Sequence, residues 1–156
     1  MDALRGDQLL DLVRILDDQM NNTSVILLFE VGDKKLLFPG DAQIENWSYA
    51  LEQAEKKPSL KKKLEAVNLY KVGHHGSLNA TPKSLWELFG HKGGEHEPDR
   101  LQTVVSTMAG KHGSARSGTE VPRSKLVDEL KRHSDFFTTQ KLGRGELFHD
   151  VEIEVG

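Results

Sequence analysis

The chain contains no cysteine, which excludes disulfides, thiolate metal sites and cysteine nucleophiles at once. It has no apolar run approaching the roughly 20 residues that a membrane-spanning helix needs, and no signal-peptide pattern opens it. A cytoplasmic protein without a membrane partner is therefore expected. An excess of one charge is also missing. Lys and Arg number 21 against 24 Asp and Glu, a net charge of −3, so bulk electrostatics draw the chain neither to nucleic acid nor to anionic lipid. Aromatics are scarce at 6%. None interrupts the basic run Lys56 to Lys63, which reads as a solvated face rather than a stacking platform for bases.

What remains is 156 residues, 37% of them hydrophobic. That suffices for one globular domain or a piece of a larger one. Leu9, Leu12, Val13 and Leu16 make one face of a helix over 7–18, which Asn21 and Asn22 can end. Val25 to Phe29 is a continuous apolar run and predicts a strand buried on both faces. Gly32-Asp33 turns a hairpin into Lys35 to Phe38, and Pro39-Gly40 stops the second strand. Trp47, Ala50, Leu51 and Ala54 then lie on one helical face. Lys56 to Lys63, broken by Pro58, predicts a turn between helices. Leu69 to Val72 is a strand. Thr81-Pro82 is an N-cap followed by proline at the first helical position, with Leu85, Trp86, Leu88 and Phe89 facing the core. Residues 90–100 and 108–120 are loops on either side of the strand Thr103 to Ser106. Pro122 opens a helix with Leu126, Val127 and Leu130. Phe136 to Thr139 and Leu147 to Val155 predict two closing strands. The sum is α/β.

Seven histidines carry more chemical information than these totals. Asp41 follows a buried strand that ends in Pro-Gly, the place where α/β layers present functional groups. On spacing alone the favoured reading is that it caps the next helix. His74 and His75 sit between Gly73 and Gly76 just after another strand. Imidazole binds zinc, manganese or iron near neutral pH, and flanking glycines leave room for a metal or phosphate to approach. Read alone, the pair is also compatible with a solvated loop. A strand–helix–strand unit can bring Asp41 and His74 to one sheet edge, and that convergence is the sharper expectation. The loop Gly90 to Asp99 holds two histidines and three carboxylates on flexible glycines and reads as solvated. Lys111 to Gly118 is basic and follows a strand end, so it is a candidate for holding a substrate phosphate.

Asn22-Thr23-Ser24-Val25, Phe38-Pro39-Gly40-Asp41-Ala42 and Val72-Gly73-His74-His75-Gly76-Ser77 resemble the second half of metallo-β-lactamase-fold hydrolases. The subgroup most similar is the hydrolase domain of bacterial competence DNA-uptake proteins. The resemblance covers roughly residues 22 to 155. It implies part of an αββα sandwich with a binuclear site of two divalent ions, zinc or else manganese. It makes Asp41 the bridging ligand and His74 a terminal one, with His75 as the competing neighbour. Ser77, His112 and Arg116 would contact a phosphodiester or other hydrolysable substrate.

The chain departs from the family upstream. The family's His-x-His-x-Asp-His ligands have no counterpart, since no histidine precedes Asp41. A catalytic zinc needs about three protein ligands and a water. The chain thus reads as the C-terminal portion of a larger hydrolase, retaining metal weakly or not at all by itself. Its expected partners are that upstream half or a second copy paired through bare strand edges. A non-catalytic module that keeps the fold without metal is the competing class.

Overall fold

The computed structural model describes residues 23–108, 111 and 120–156; the helix expected over 7–18 lies outside them. Five strands form one mixed sheet in the order β1-β2-β3-β4-β5. They are β1 (Leu27–Val31), β2 (Lys34–Phe38), β3 (Leu69–Lys71), β4 (Gln102–Val105) and β5 (Asp135–Thr138). The first pair is the expected hairpin, antiparallel about Gly32, whose φ of +57° suits the tight turn. The other neighbours pair in parallel. Helices α1 (Ile44–Lys56), α2 (Pro58–Glu65), α3 (Lys83–Leu88) and α4 (Ser124–His133) make the connections.

All four helices feed one core. Trp47 and Ala54, Leu64, Leu85 and Trp86, and Leu126 and Leu130 gather with Leu37, Tyr70 and Val105 of the sheet. Strand side chains alternate between faces, so the opposite sheet face carries Leu27, Phe29, Val31 and Phe38, which are 46, 49, 47 and 36% exposed. The prediction of a strand buried on both faces is corrected here: among the described residues β1 is an edge strand, and most of its side chains are exposed. A continuous apolar run reports that both faces are apolar, not that both are covered.

Other boundaries shift for local reasons. The basic run expected as a turn is mostly helix, because Pro58 fits the first turn of α2 and confines the break to Lys57. Thr81 does not cap α3, which begins one residue late after Pro82; its hydroxyl instead bonds the Tyr70 phenol at 2.9 Å. The strand expected over Leu147 to Val155 is not part of the sheet. That tail crosses the face opposite the helices. His149 stacks on Phe137 with ring centroids 3.7 Å apart, Gln102 donates to the Glu152 carbonyl at 3.3 Å, and Gly156 N–H reaches Asp33 at 3.1 Å. Running across the strands, it cannot form a ladder with them.

The 90–100 loop is exposed along much of its length yet fixed at its ends. The Arg100 side chain, only 6% exposed, donates to Gly93 O at 3.0 Å, Asp135 Oδ1 at 2.7 Å and Arg132 O at 3.1 Å. Arg100→Met is expected to lower the unfolding free energy in urea by about 1 kcal/mol, mostly from the part-buried bond to Gly93 O, since the Arg132 and Asp135 acceptors are solvated. Arg100→Lys should not restore it, because one ammonium cannot span three divergent acceptors.

Candidate functional site

The parallel strands direct their C-terminal ends to one edge, and Asp41 and His74 both lie there. Leu36 lies opposite Leu69 and Leu37 opposite Tyr70, an offset of 33 residues that also separates Asp41 from His74. The pairing continues past the strands: His74 N–H donates to Gly40 O at 3.2 Å. Asp41 and His74 therefore stand on adjacent chain segments at the same sheet edge. Pro39 and Ala42 are buried, and Ala42 N–H closes the turn onto Pro39 O at 3.1 Å, which leaves the carboxylate-bearing residue exposed at its tip. The helix cap is elsewhere. Gln43 and Asn46 form a reciprocal capping box on α1, so the alternative in which Asp41 caps that helix does not hold.

His74, His75 and Gly76 have φ values of +42, +53 and +86°. Two consecutive non-glycine residues in the left-handed region are uncommon and cost of order 1–3 kcal/mol each. The turn is held by Gly76 N–H to Gly73 O at 2.9 Å and Ser77 N–H to His74 O at 3.0 Å. It aims the two imidazoles differently, with ring centroids 6.3 Å apart. His75 Nδ1 lies 2.9 Å from Ser106 O beyond β4. A carbonyl only accepts, so in the neutral ring Nδ1 carries the hydrogen and Nε2 the lone pair. That is the tautomer a metal-ligating histidine commonly has. His74 Nδ1 is buried without a hydrogen-bond partner among the described residues, a cost that a bound cation could offset.

The glycines do a different job from the one expected. A Cβ on Gly73 would lie 2.9 Å from Gly40 O, 3.2 Å from Pro39 Cγ and 3.3 Å from Ala80 Cβ. The space at Gly73 is thus filled by the Asp41 turn, and Gly73 is what lets the two strand tips touch. Neither this contact nor the Ser106 carbonyl is readable from the local sequence; a glycine directly before the histidine pair is the nearest signal. Lys71 is a third residue missed. Half-buried on β3, it donates to its own Val72 O at 3.2 Å. Burial pushes its pKa below the usual lysine range, while the charge of Asp41 acts to hold it up.

Ser77 shares the histidine turn. His112 and Arg116 lie outside the described residues. His91 and His96 are not gathered with carboxylates into a site, and among the described residues no group of three His, Asp or Glu side chains could hold a metal ion. Asp41, His74 and His75 thus stand at neighbouring strand ends without forming a three-donor group among the described residues. Among the described residues no helix is long and apolar enough to cross a membrane. No family model, no curated protein and no solved structure matches the chain.

Proposed function

We propose that this chain is the C-terminal half of a binuclear metal-dependent hydrolase with a metallo-β-lactamase-like αββα sandwich, acting on phosphodiesters or nucleic acid. One observation carries the reading. The Gly40–His74 backbone bond sets a carboxylate and a pair of imidazoles on adjoining strand tips, as the resemblance requires. The partly exposed sheet face of Leu27, Phe29 and Phe38 supports the sandwich, since an apolar sheet face in water calls for a second layer. The upstream half would supply that layer together with the remaining ligands.

Asp41 and His74 would hold the ions, with His75 as the alternative imidazole. When bound, a divalent pair supplies hydroxide at neutral pH and polarises the bond under attack. This chain's residues do the rest. The Asp41 carboxylate orients the attacking water by accepting its hydrogen bond, and the Ser106 carbonyl keeps the His75 ring in one tautomer. Ser77, with His112 and Arg116 of the basic loop, would position the substrate.

Paramagnetic broadening tests the ligands even at weak occupancy. Substoichiometric Mn²⁺ is expected to broaden the amide signals of Gly40–Ala42 and Gly73–Ser77 together, and Asp41→Asn should abolish both effects. Broadening confined to Glu95–Asp99, or unchanged in Asp41→Asn, would reject the ligand assignment. It would favour a module that has kept the fold without metal. Light scattering that returns a dimer dissolved by a charged substitution at Phe29 would instead assign the bare layer to a second copy.

A further inference from the structure

Away from the strand tips, α3 and α4 enclose a groove of about 530 Å³, a volume in the range of ligand sites. Its floor is apolar: Leu126 and Trp86 are 7 and 8% exposed, and Leu78 at 46% stands at its mouth. Its rim carries Lys83, Lys92 and Lys125 against Glu87 and Glu129. Both carboxylates are already engaged. Glu87 faces Lys83 at 3.4 Å, while Glu129 accepts the Trp86 indole N–H at 3.2 Å and lies 3.5 Å from Arg132 and 3.6 Å from His133. Lys92 sits over the Trp86 ring, 5.2 Å from its centroid. Neither Lys92 nor Lys125 has an ion-pair partner among the described residues, so the groove keeps a local positive surplus in a chain whose net charge is −3.

We propose that this groove docks an acidic peptide segment of a partner protein. One or two bulky apolar side chains seat on Leu78, Trp86 and Leu126, and flanking carboxylates meet Lys92 and Lys125. Charge complementarity selects an anionic occupant, and the floor selects among anions. Single-stranded nucleic acid binds by stacking bases on open aromatic faces. The only aromatic ring here is nine-tenths buried, its N–H is committed, and a lysine covers its face. Aliphatic and indole-edge surface of this kind suits Leu or Phe side chains. The inference is independent of the metal site.

Fluorescence anisotropy on the full chain tests it with two labelled probes, a peptide of repeating Glu-Leu-Phe-Asp and an oligothymidylate. The peptide is expected to bind, to perturb tryptophan emission, and to weaken as salt rises. Lys92→Glu combined with Lys125→Glu should weaken it about tenfold or more. Leu78→Ser should weaken it several-fold while leaving the salt dependence in place, a readout that separates the apolar floor from the charged rim. These side chains lie at the groove's mouth, so both variants should keep the wild-type melting temperature within a few degrees. No peptide binding by the wild type, equal binding by both variants, or preferential binding of the oligothymidylate through the same lysines each overturns the proposal.

Discussion

Gly76→Ala is expected to lower the stability of the chain by about 3 kcal/mol and to dismantle the histidine turn. Two costs add. An alanine at φ +86° pays the left-handed penalty of roughly 1–2 kcal/mol. Its Cβ would also lie 2.7 Å from Pro122 Cβ, 3.2 Å from Pro122 Cα and 3.5 Å from Val105 Cγ1, an overpacking cost of about 1–3 kcal/mol. Neither neighbour yields easily. Pro122 is a ring, and the adjoining Arg123 N–H is bonded to Gly76 O at 3.1 Å, so relief of the clash pulls α4 from the turn. The Ser106 carbonyl then loses the His75 ring that the turn presents to it. Urea denaturation measures the stability loss, and the Mn²⁺ broadening at Gly73–Ser77 should disappear with it. Gly94→Ala is the control: nothing lies within 4 Å of its Cβ and its φ is not in the left-handed region, so a change within about 0.5 kcal/mol is expected. A Gly76 variant as stable as that control would mean that the turn does not depend on its glycine.

The contrast between the two glycines marks where the sequence is informative. Gly32-Asp33 and Pro39-Gly40 announce their turns locally, because backbone conformation and missing donors are properties of the residues themselves. For the same reason the offset that brings Asp41 beside His74 follows from a strand, a helical excursion and a second strand. What Gly73 and Gly76 touch depends on Ala80 and Pro122, and only folding brings those together. The Ser106 carbonyl beside His75 is likewise invisible, since any residue type supplies a carbonyl. Edge and centre are equally hidden. Val25 to Phe29 reads as doubly buried because its composition is apolar, while Leu27 and Phe29 are 46 and 49% exposed. The tail over 147–155 alternates as a strand does, yet crosses the sheet, because alternation records which side chains face inward and not the direction of the chain. His112 and Arg116 lie outside the described residues.

Trp47→Ala is expected to cost about 3–5 kcal/mol, the range for emptying a core aromatic site, and the two hydrogen bonds that meet beside it allow that cost to be divided. Trp47 is fully buried, and its indole N–H donates to Ala80 O at 2.9 Å. The Tyr70 phenol donates to the same carbonyl at 3.2 Å and bonds Thr81 Oγ1 at 2.9 Å; its burial pushes its pKa well above the usual tyrosine value. Trp47→Phe keeps most of the packing and leaves Ala80 O with Tyr70, so about 1–2 kcal/mol should be lost. Tyr70→Phe leaves the carbonyl with Trp47 and should cost a similar amount. The double variant strands a buried carbonyl with neither donor. Its loss should therefore exceed the sum of the single losses by about 1 kcal/mol or more in a double-mutant cycle. The consequence reaches the candidate site, because Ala80 Cβ also limits the space beside Gly73, at 3.3 Å from where that residue's Cβ would stand. With Ala80 released, the segment after Ser77 loosens and the His74 amide should lose protection from hydrogen exchange relative to the core amide of Leu37. Strictly additive losses, or unchanged exchange at His74 in the double variant, would show that the core aromatics hold up the helix layer without holding the histidine turn.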